Sequence, residues 1–165
     1  GRIELRAGAN VQDNCVAHAF PNRDVVVEED GHVGHGAVLH GCTVRRDALV
    51  GMNAVVMDDA EVGEAAIVAA CVFVPAGTRL PARALAVGAP ARVLRTLGDD
   101  ELQRKREGTE TYHALTRRCL ATLVEVQPLA EACEQHGHAC DIAVVLPGLV
   151  RGPEDDLLHG GIRNA

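Results

Sequence analysis

Valine recurs at every sixth position from Val38 through Val44, Val50, Val56, Val62 and Val68 to Val74. Four places after each stands Cys42, Ala48, Ala54, Ala60, Ala66, Val72 or Thr78, nearly all of them small. Glycine directly follows the valine at Gly51 and Gly63. A looser form of the step pairs Leu5 with Ala9 and Val11 with Cys15, and Val33 with Ala37 precedes a five-residue step to Val38. A helix with 3.6 residues per turn cannot keep every sixth residue on one face, and a plain strand buries every second one. Short flat strands joined by tight corners, three to a triangular coil, satisfy the period, with valine expected at each corner filling a narrow interior. Stacked coils then supply each other's backbone hydrogen bonds. The pattern predicts an all-β solenoid, a left-handed parallel β-helix of hexapeptide repeats with C-terminal α-helices packed alongside.

The repeat breaks over residues 17–27, which reads as a loop leaving the stack, and fades over residues 80–95, where Pro81, Gly88 and Pro90 close the last coil. Asp99, Asp100 and Glu101 form an acidic start suited to a helix N-terminus. Gly108 is expected to break that helix, Thr109 to cap a second, and Pro128 to end it. Tyr112, Leu115, Cys119, Leu123 and Val126 share one face of the second helix and should lie against a flat side of the solenoid. This gives a β-helix over 1–97, helices over 98–128 and an irregular tail over 129–165.

Composition agrees with a thin, regular core. The chain has 165 residues, 47% of them apolar but only 2% aromatic, with 17 glycines and no tryptophan. Large rings fill irregular space in ordinary cores. A formal net charge of −7 without an extended basic run argues against nucleic acid as a partner. No apolar stretch has the length to span a membrane, and the start does not resemble a signal peptide. Six scattered cysteines read as reduced thiols, and the expected location is cytoplasmic. Packing accounts for Cys15 and Cys42, and spacing reveals no partner for Cys71 or Cys119. The tail string holding Cys133, His136, His138 and Cys140 is rich in soft ligands. It lacks a finger spacing and is read as incidental.

His18, His32, His35 and His40 fall inside the repeat region. On spacing alone such histidines are ordinary solvated positions. His35 and His40, five residues apart along extended chain, would stand about 16 Å from each other. Metal–imidazole bonds of about 2.0–2.1 Å cannot bridge that gap within one subunit. If both are ligands, a neighbouring subunit must close the site.

The segment Asn10-Val11-Gln12-Asp13-Asn14, then His18, and the string GHVGHGAVLHGCTVRRDALVGMNAVVMD over residues 31–58 resemble the γ-class carbonic anhydrase-like hexapeptide-repeat family. Within it they are most similar to the phenylacetic acid degradation (PaaY) and carnitine-operon branch, over roughly residues 1–129. The resemblance implies a homotrimer that binds zinc, or iron in some members, through His18, His35 and His40. It also implies that His35 comes from the subunit next to the one giving His18 and His40. Asn10 and Gln12 match positions that hydrogen-bond the metal-held water or the substrate, and Asp13 one that orders the site. His32 matches no ligand and is expected to be an exposed bystander.

Three neutral imidazoles with one open position are the arrangement of catalytic zinc, which activates water at neutral pH. The implied reaction is hydration of carbon dioxide to bicarbonate. The alternatives are acyl-CoA thioester hydrolysis in phenylacetate degradation and a non-catalytic trimeric scaffold. An acyltransferase of this repeat class would need a histidine base but no three-histidine set. Family members carry further coils before the point matching Gly1, with an Arg-x-Asp segment that contacts the site. The loop after His18 is short and lacks an acidic insertion, for which Glu28 and Glu29 are weak substitutes. These two departures imply metal binding with reduced hydration activity.

Overall fold

The computed structural model describes residues 1–125. In chain order the strands are β1 (Ile3–Leu5), β2 (Asn10–Val11), β3 (Val16–His18), β4 (Val25–Val27), β5 (His32–Val33), β6 (Val38–His40), β7 (Thr43–Val44) and β8 (Leu49–Val50). There follow β9 (Val55–Val56), β10 (Glu61–Val62), β11 (Ile67–Val68), β12 (Phe73–Val74), β13 (Arg79–Leu80), β14 (Ala84–Val87) and β15 (Arg92–Thr96), then helix α1 (Asp99–Thr122). Strands three apart in sequence pair in parallel, giving sheets β1-β4-β7-β10-β13, β2-β5-β8-β11-β14 and β3-β6-β9-β12. This is the left-handed parallel β-helix with three strands per coil. In the regular part Thr43 pairs with Glu61 and Glu61 with Arg79, so one coil takes eighteen residues. β15 turns back antiparallel on β14 and ends the stack.

The interior is a column of Val33, Leu39, Val44, Val50, Val56, Val62, Val68 and Val74, each at most 2% exposed, alternating with Ala37, Cys42, Ala48, Ala54, Ala60 and Ala66. Burying each valine contributes about 1.5–3 kcal/mol. The valines occupy strands rather than the corners where the sequence pattern put them. The corners are short turns whose left-handed residues fall at Gly41, Asp47, Asn53, Asp59, Ala65, Cys71, Gly77 and Arg83. Asn, Asp and Gly tolerate that conformation best. Gly51 is required for a different reason. A Cβ there would stand 2.6 Å from the Ala70 amide nitrogen and 2.8 Å from the Val68 carbonyl oxygen of the adjoining coil.

Two irregularities interrupt the eighteen-residue coil. Residues 19–24 form an expanded corner after β3, so that Asn10 pairs with His32 and His18 with His40. The second is a corner one residue short. It was expected between Val33 and Val38, but Val38 turns outward, Leu39 takes the interior place, and the five-residue step runs from Leu39 to Val44. The left-handed positions confirm the contraction, stepping from Gly36 to Gly41 before regular spacing resumes. One residue lost at the corner reverses the facing of β6, which turns Leu39 rather than Val38 into the column.

The chain divides into two compact units, Gly1–Tyr112 and His113–Ala165. In the first, the start of α1 lies against the solenoid through Leu102, Lys105 and Thr109. Leu102 packs with Ala65 and Leu97. The buried Lys105 ammonium donates to an Asp47 carboxylate oxygen and, at 3.2 Å, to the Asp30 carbonyl. Two expectations fail here. Gly108 does not break the helix, because it meets open space and its cost of about 1 kcal/mol relative to alanine falls within a helix held by Lys105 on one side. The buried contacts come from the first half of the helix; of the expected stripe Tyr112 reaches His32 of the solenoid, while Leu115 is exposed. Val126, Pro128 and the tail with Cys133, His136, His138 and Cys140 lie outside the described residues.

At the helix start the Gly98 amide donates to Glu101 at 3.0 Å, and both Glu101 oxygens accept from Arg95 at 2.7 Å. The Arg95 guanidinium first, then the Gly98 amide, lower the Glu101 carboxyl from 4.5 to about 2. A carboxylate depressed in the folded state adds stability above its unfolded value and loses it as pH falls toward the folded one. Wild type should therefore lose stability between about pH 4.5 and 2, and Glu101→Gln should flatten that stretch of a urea-midpoint-versus-pH curve. Leu39→Ala should lower unfolding free energy by about 2–5 kcal/mol in chemical denaturation, since it opens a cavity in a column without slack.

Candidate functional site

The candidate residues gather in two groups, each at one of the irregular corners or beside it. On the β3–β6 face, register places His18 directly beside His40. The His18 Nδ1 and His40 Nε2 atoms are 3.0 Å apart and the rings stack with centroids 4.7 Å apart. Phe20, from the expanded corner, stands edge-on to both rings at 4.8 and 5.2 Å. His40 Nδ1 faces Asp58 Oδ1 at 2.9 Å, and Arg23 of the same expanded corner reaches Asp58 Oδ2 at 3.5 Å.

The second group lies along β2 and β5. Asn10 is the register partner of His32. Gln12 Nε2 is 2.7 Å from His32 Nε2, while Gln12 Oε1 accepts from the His35 amide at 3.2 Å. The His35 ring, in the corner after β5, meets Asp13 Oδ2 at 3.3 Å and is otherwise half exposed. Asn10 Oδ1 is buried without a hydrogen-bond partner among the described residues. His32 is not the exposed bystander expected: it is 7% exposed and packs edge-on against Tyr112 at 5.0 Å. Its position at the start of a two-residue strand gave no sign that α1 would cover it.

The donor set suits a metal ion in part. Two imidazole nitrogens held tetrahedrally by one zinc lie about 3.3 Å apart, from bonds of about 2.0–2.1 Å. The His18–His40 spacing of 3.0 Å is close to that. Within one chain, no three His, Cys, Asp or Glu among the described residues come together as a metal-holding group. His35 belongs to the other group. Glu28 does not serve this site: it sits beyond β4 on another sheet, accepting from Arg45 and the Arg46 amide at 2.9 Å. Arg45 also bonds Glu61 at 2.8 Å and holds that carboxyl below its ordinary range. Cys42 is buried in the column, and desolvation pushes its thiol up to about 12, which marks it as packing.

Asp58, Arg23 and Phe20 escaped sequence reading. The doublet Asp58-Asp59 looks like any polar corner, and only the coil-to-coil register shows that Asp58 falls beside His40. As a check on the second group, His32→Ala should lower stability by about 1 kcal/mol or more, because it removes the part-buried bond to the Gln12 amide and a nearly buried ring. Equal urea midpoints for variant and wild type would show that this bond contributes nothing.

No protein-family model matches the chain. The carnitine operon protein CaiE of Salmonella agona is 54% identical over 134 residues, 81% of this chain and 68% of that protein. That of Escherichia coli is 53% identical over 131 residues, covering 79% and 67%. Among solved structures, a hexapeptide transferase family protein from Anaplasma phagocytophilum is 35% identical with a TM-score of 0.67, covering 70% of this chain and 68% of that one. A presumed acetyltransferase of Bacillus cereus is 30% identical with a TM-score of 0.66, covering 70% and 76%. No described helix is long and apolar enough to cross a membrane. Identity above 50% across two thirds of the relatives' length places this chain in the family of the carnitine operon protein CaiE, built on the hexapeptide-repeat β-helix.

Proposed function

We propose that copies of this chain form a homotrimer in which His18 and His40 of one copy and His35 of the next hold zinc, with iron as the alternative. The reading adds a γ-carbonic anhydrase-like, PaaY-type activity: hydration of carbon dioxide, or hydrolysis of an acyl-CoA thioester. The observation that carries it is the His18–His40 pair, two imidazole nitrogens 3.0 Å apart with a third histidine displayed elsewhere on the same coil level. A ring of three identical chains is the closed arrangement that lets one copy's corner complete another's pair.

When bound, the ion supplies Lewis acidity that activates water and polarises a carbonyl. The chain's own residues do the rest. Phe20 stands edge-on to both rings and braces their orientation. Gln12 is held at both ends of its amide by the His35 backbone and His32, which leaves one N–H and one lone pair to orient a substrate. The Asn10 oxygen, two residues before Gln12 in the chain, is buried and unpartnered among the described residues and is a spare acceptor. Asp13 braces the His35 ring.

The decisive experiment combines metal analysis, light scattering and two assays, carbon dioxide hydration and short acyl-CoA hydrolysis, at equal metal content. The expected result is a metal-loaded trimer active in one assay. His35→Ala should lose most of its metal and dissociate more readily, whereas His32→Ala should keep its metal. A stable metal-loaded monomer would sink the shared site. Activity that survives complete metal removal would point instead to acyl transfer with a histidine base, in keeping with the acetyltransferase and transferase names of the Bacillus cereus and Anaplasma phagocytophilum structures. A metal-loaded trimer inert in both assays would favour the scaffold.

A further inference from the structure

Three separate features converge on the Asp58 carboxylate. It lies two residues past β9, where β9 stacks on β6, and its side chain is only 15% exposed. The contracted corner puts Gly41 next to it in a left-handed conformation, and a Cβ at Gly41 would come to 2.5 Å from Asp58 Oδ1. Any other residue there would push the carboxylate off His40. The expanded corner contributes Arg23, whose guanidinium lies 3.5 Å from Asp58 Oδ2 and, through its other nitrogen, 3.5 Å from Asp59 Oδ2. One carboxylate thus has an oxygen committed to an arginine and an oxygen committed to the His40 ring.

We propose that Asp58 is the positioning residue of His40, a role that rests on the metal reading above. An ionised carboxylate only accepts hydrogen bonds. It therefore keeps the His40 proton on Nδ1 and leaves Nε2 as the lone pair, and Nε2 is the atom that faces His18. Carboxylate–imidazole pairs of this kind fix both tautomer and ring orientation, and their loss lowers metal affinity about 10–100-fold. Asp58 touches neither substrate nor the reacting atoms; it makes the ring a ligand before any ion arrives. Arg23 meets the other carboxylate oxygen and ties the expanded corner to Asp58.

The test uses the full chain with Asp58→Ala, Asp58→Asn and Arg23→Gln. Long-range proton–nitrogen NMR of the imidazoles in metal-free protein, recorded near pH 8 where ordinary histidine is neutral, reads the tautomer directly. Wild type and Arg23→Gln should show His40 protonated on Nδ1, and Asp58→Ala should show a mixture weighted to Nε2. Zinc affinity, measured by competition with a chromophoric chelator, should fall about 10–100-fold in Asp58→Ala, less in Asp58→Asn, and little in Arg23→Gln. A folded Asp58→Ala with the wild-type tautomer and wild-type affinity overturns the proposal. So does an Arg23→Gln that loses as much affinity as Asp58→Ala, because Asp58 would then be a loop tether. Wild type that takes up no zinc overturns the metal reading instead, while the tautomer spectra still decide what Asp58 does to His40.

Discussion

Coil-to-coil hydrogen bonding in exact register is the constraint on which everything else here depends. Each short strand has almost no stability of its own, so a coil holds only if its backbone pairs with the coil above and below. That requirement makes eighteen residues the standard circuit, forces left-handed residues into most corners, and restricts the interior to one valine and one small residue per side. It also means that an insertion or deletion cannot be absorbed gradually. It must be taken up at a single corner, leaving the strands on either side undisturbed.

The candidate site uses this property. The corner after β3 is expanded and the corner after β6, one coil further on, is shortened. Because the strands keep their register, His18 and His40 still fall side by side. The expanded corner adds Phe20 and Arg23 above the pair, and the shortened one clears space through Gly41 for Asp58. The candidate site sits where the repeat is broken, on a scaffold held by the repeat that surrounds it. The second group, around Gln12, His32 and His35, lies on a different strand of the same two coils, tied together by the two hydrogen bonds of the Gln12 amide.

Relatives and structural neighbours bear unevenly on function. The CaiE family assignment is firm, yet its name describes a gene neighbourhood rather than a reaction. The neighbours named as transferases share the solenoid, which hosts different chemistries on one architecture. The distinction among hydration, thioester hydrolysis and acyl transfer therefore rests on the site and on the metal proposed for it. A lone histidine base would have no need of a second ring 3.0 Å away.

A six-residue period with no helical or alternating solution left one architecture, so the solenoid, its valine column and the end of the stack near Pro90 were legible in the chain. The motif's resemblance pointed to His18 and His40, which the register sets side by side, whereas His35 and Gln12 fall in a separate group. The sequence could not reveal that Leu39 rather than Val38 points inward, because one residue lost at a corner reverses the facing of a strand and both residues are apolar. Nor could it show that His32 is covered by Tyr112, since α1 and β5 meet only after the chain has folded back. Gly108 was misread as a break because local propensity omits the hold that Lys105 takes on Asp47 from the neighbouring turn. Periodicity is a local property, written in every coil. Which polar side chains meet depends on how many residues separate two corners, and only the stacked register converts that count into the meeting of His40 with Asp58.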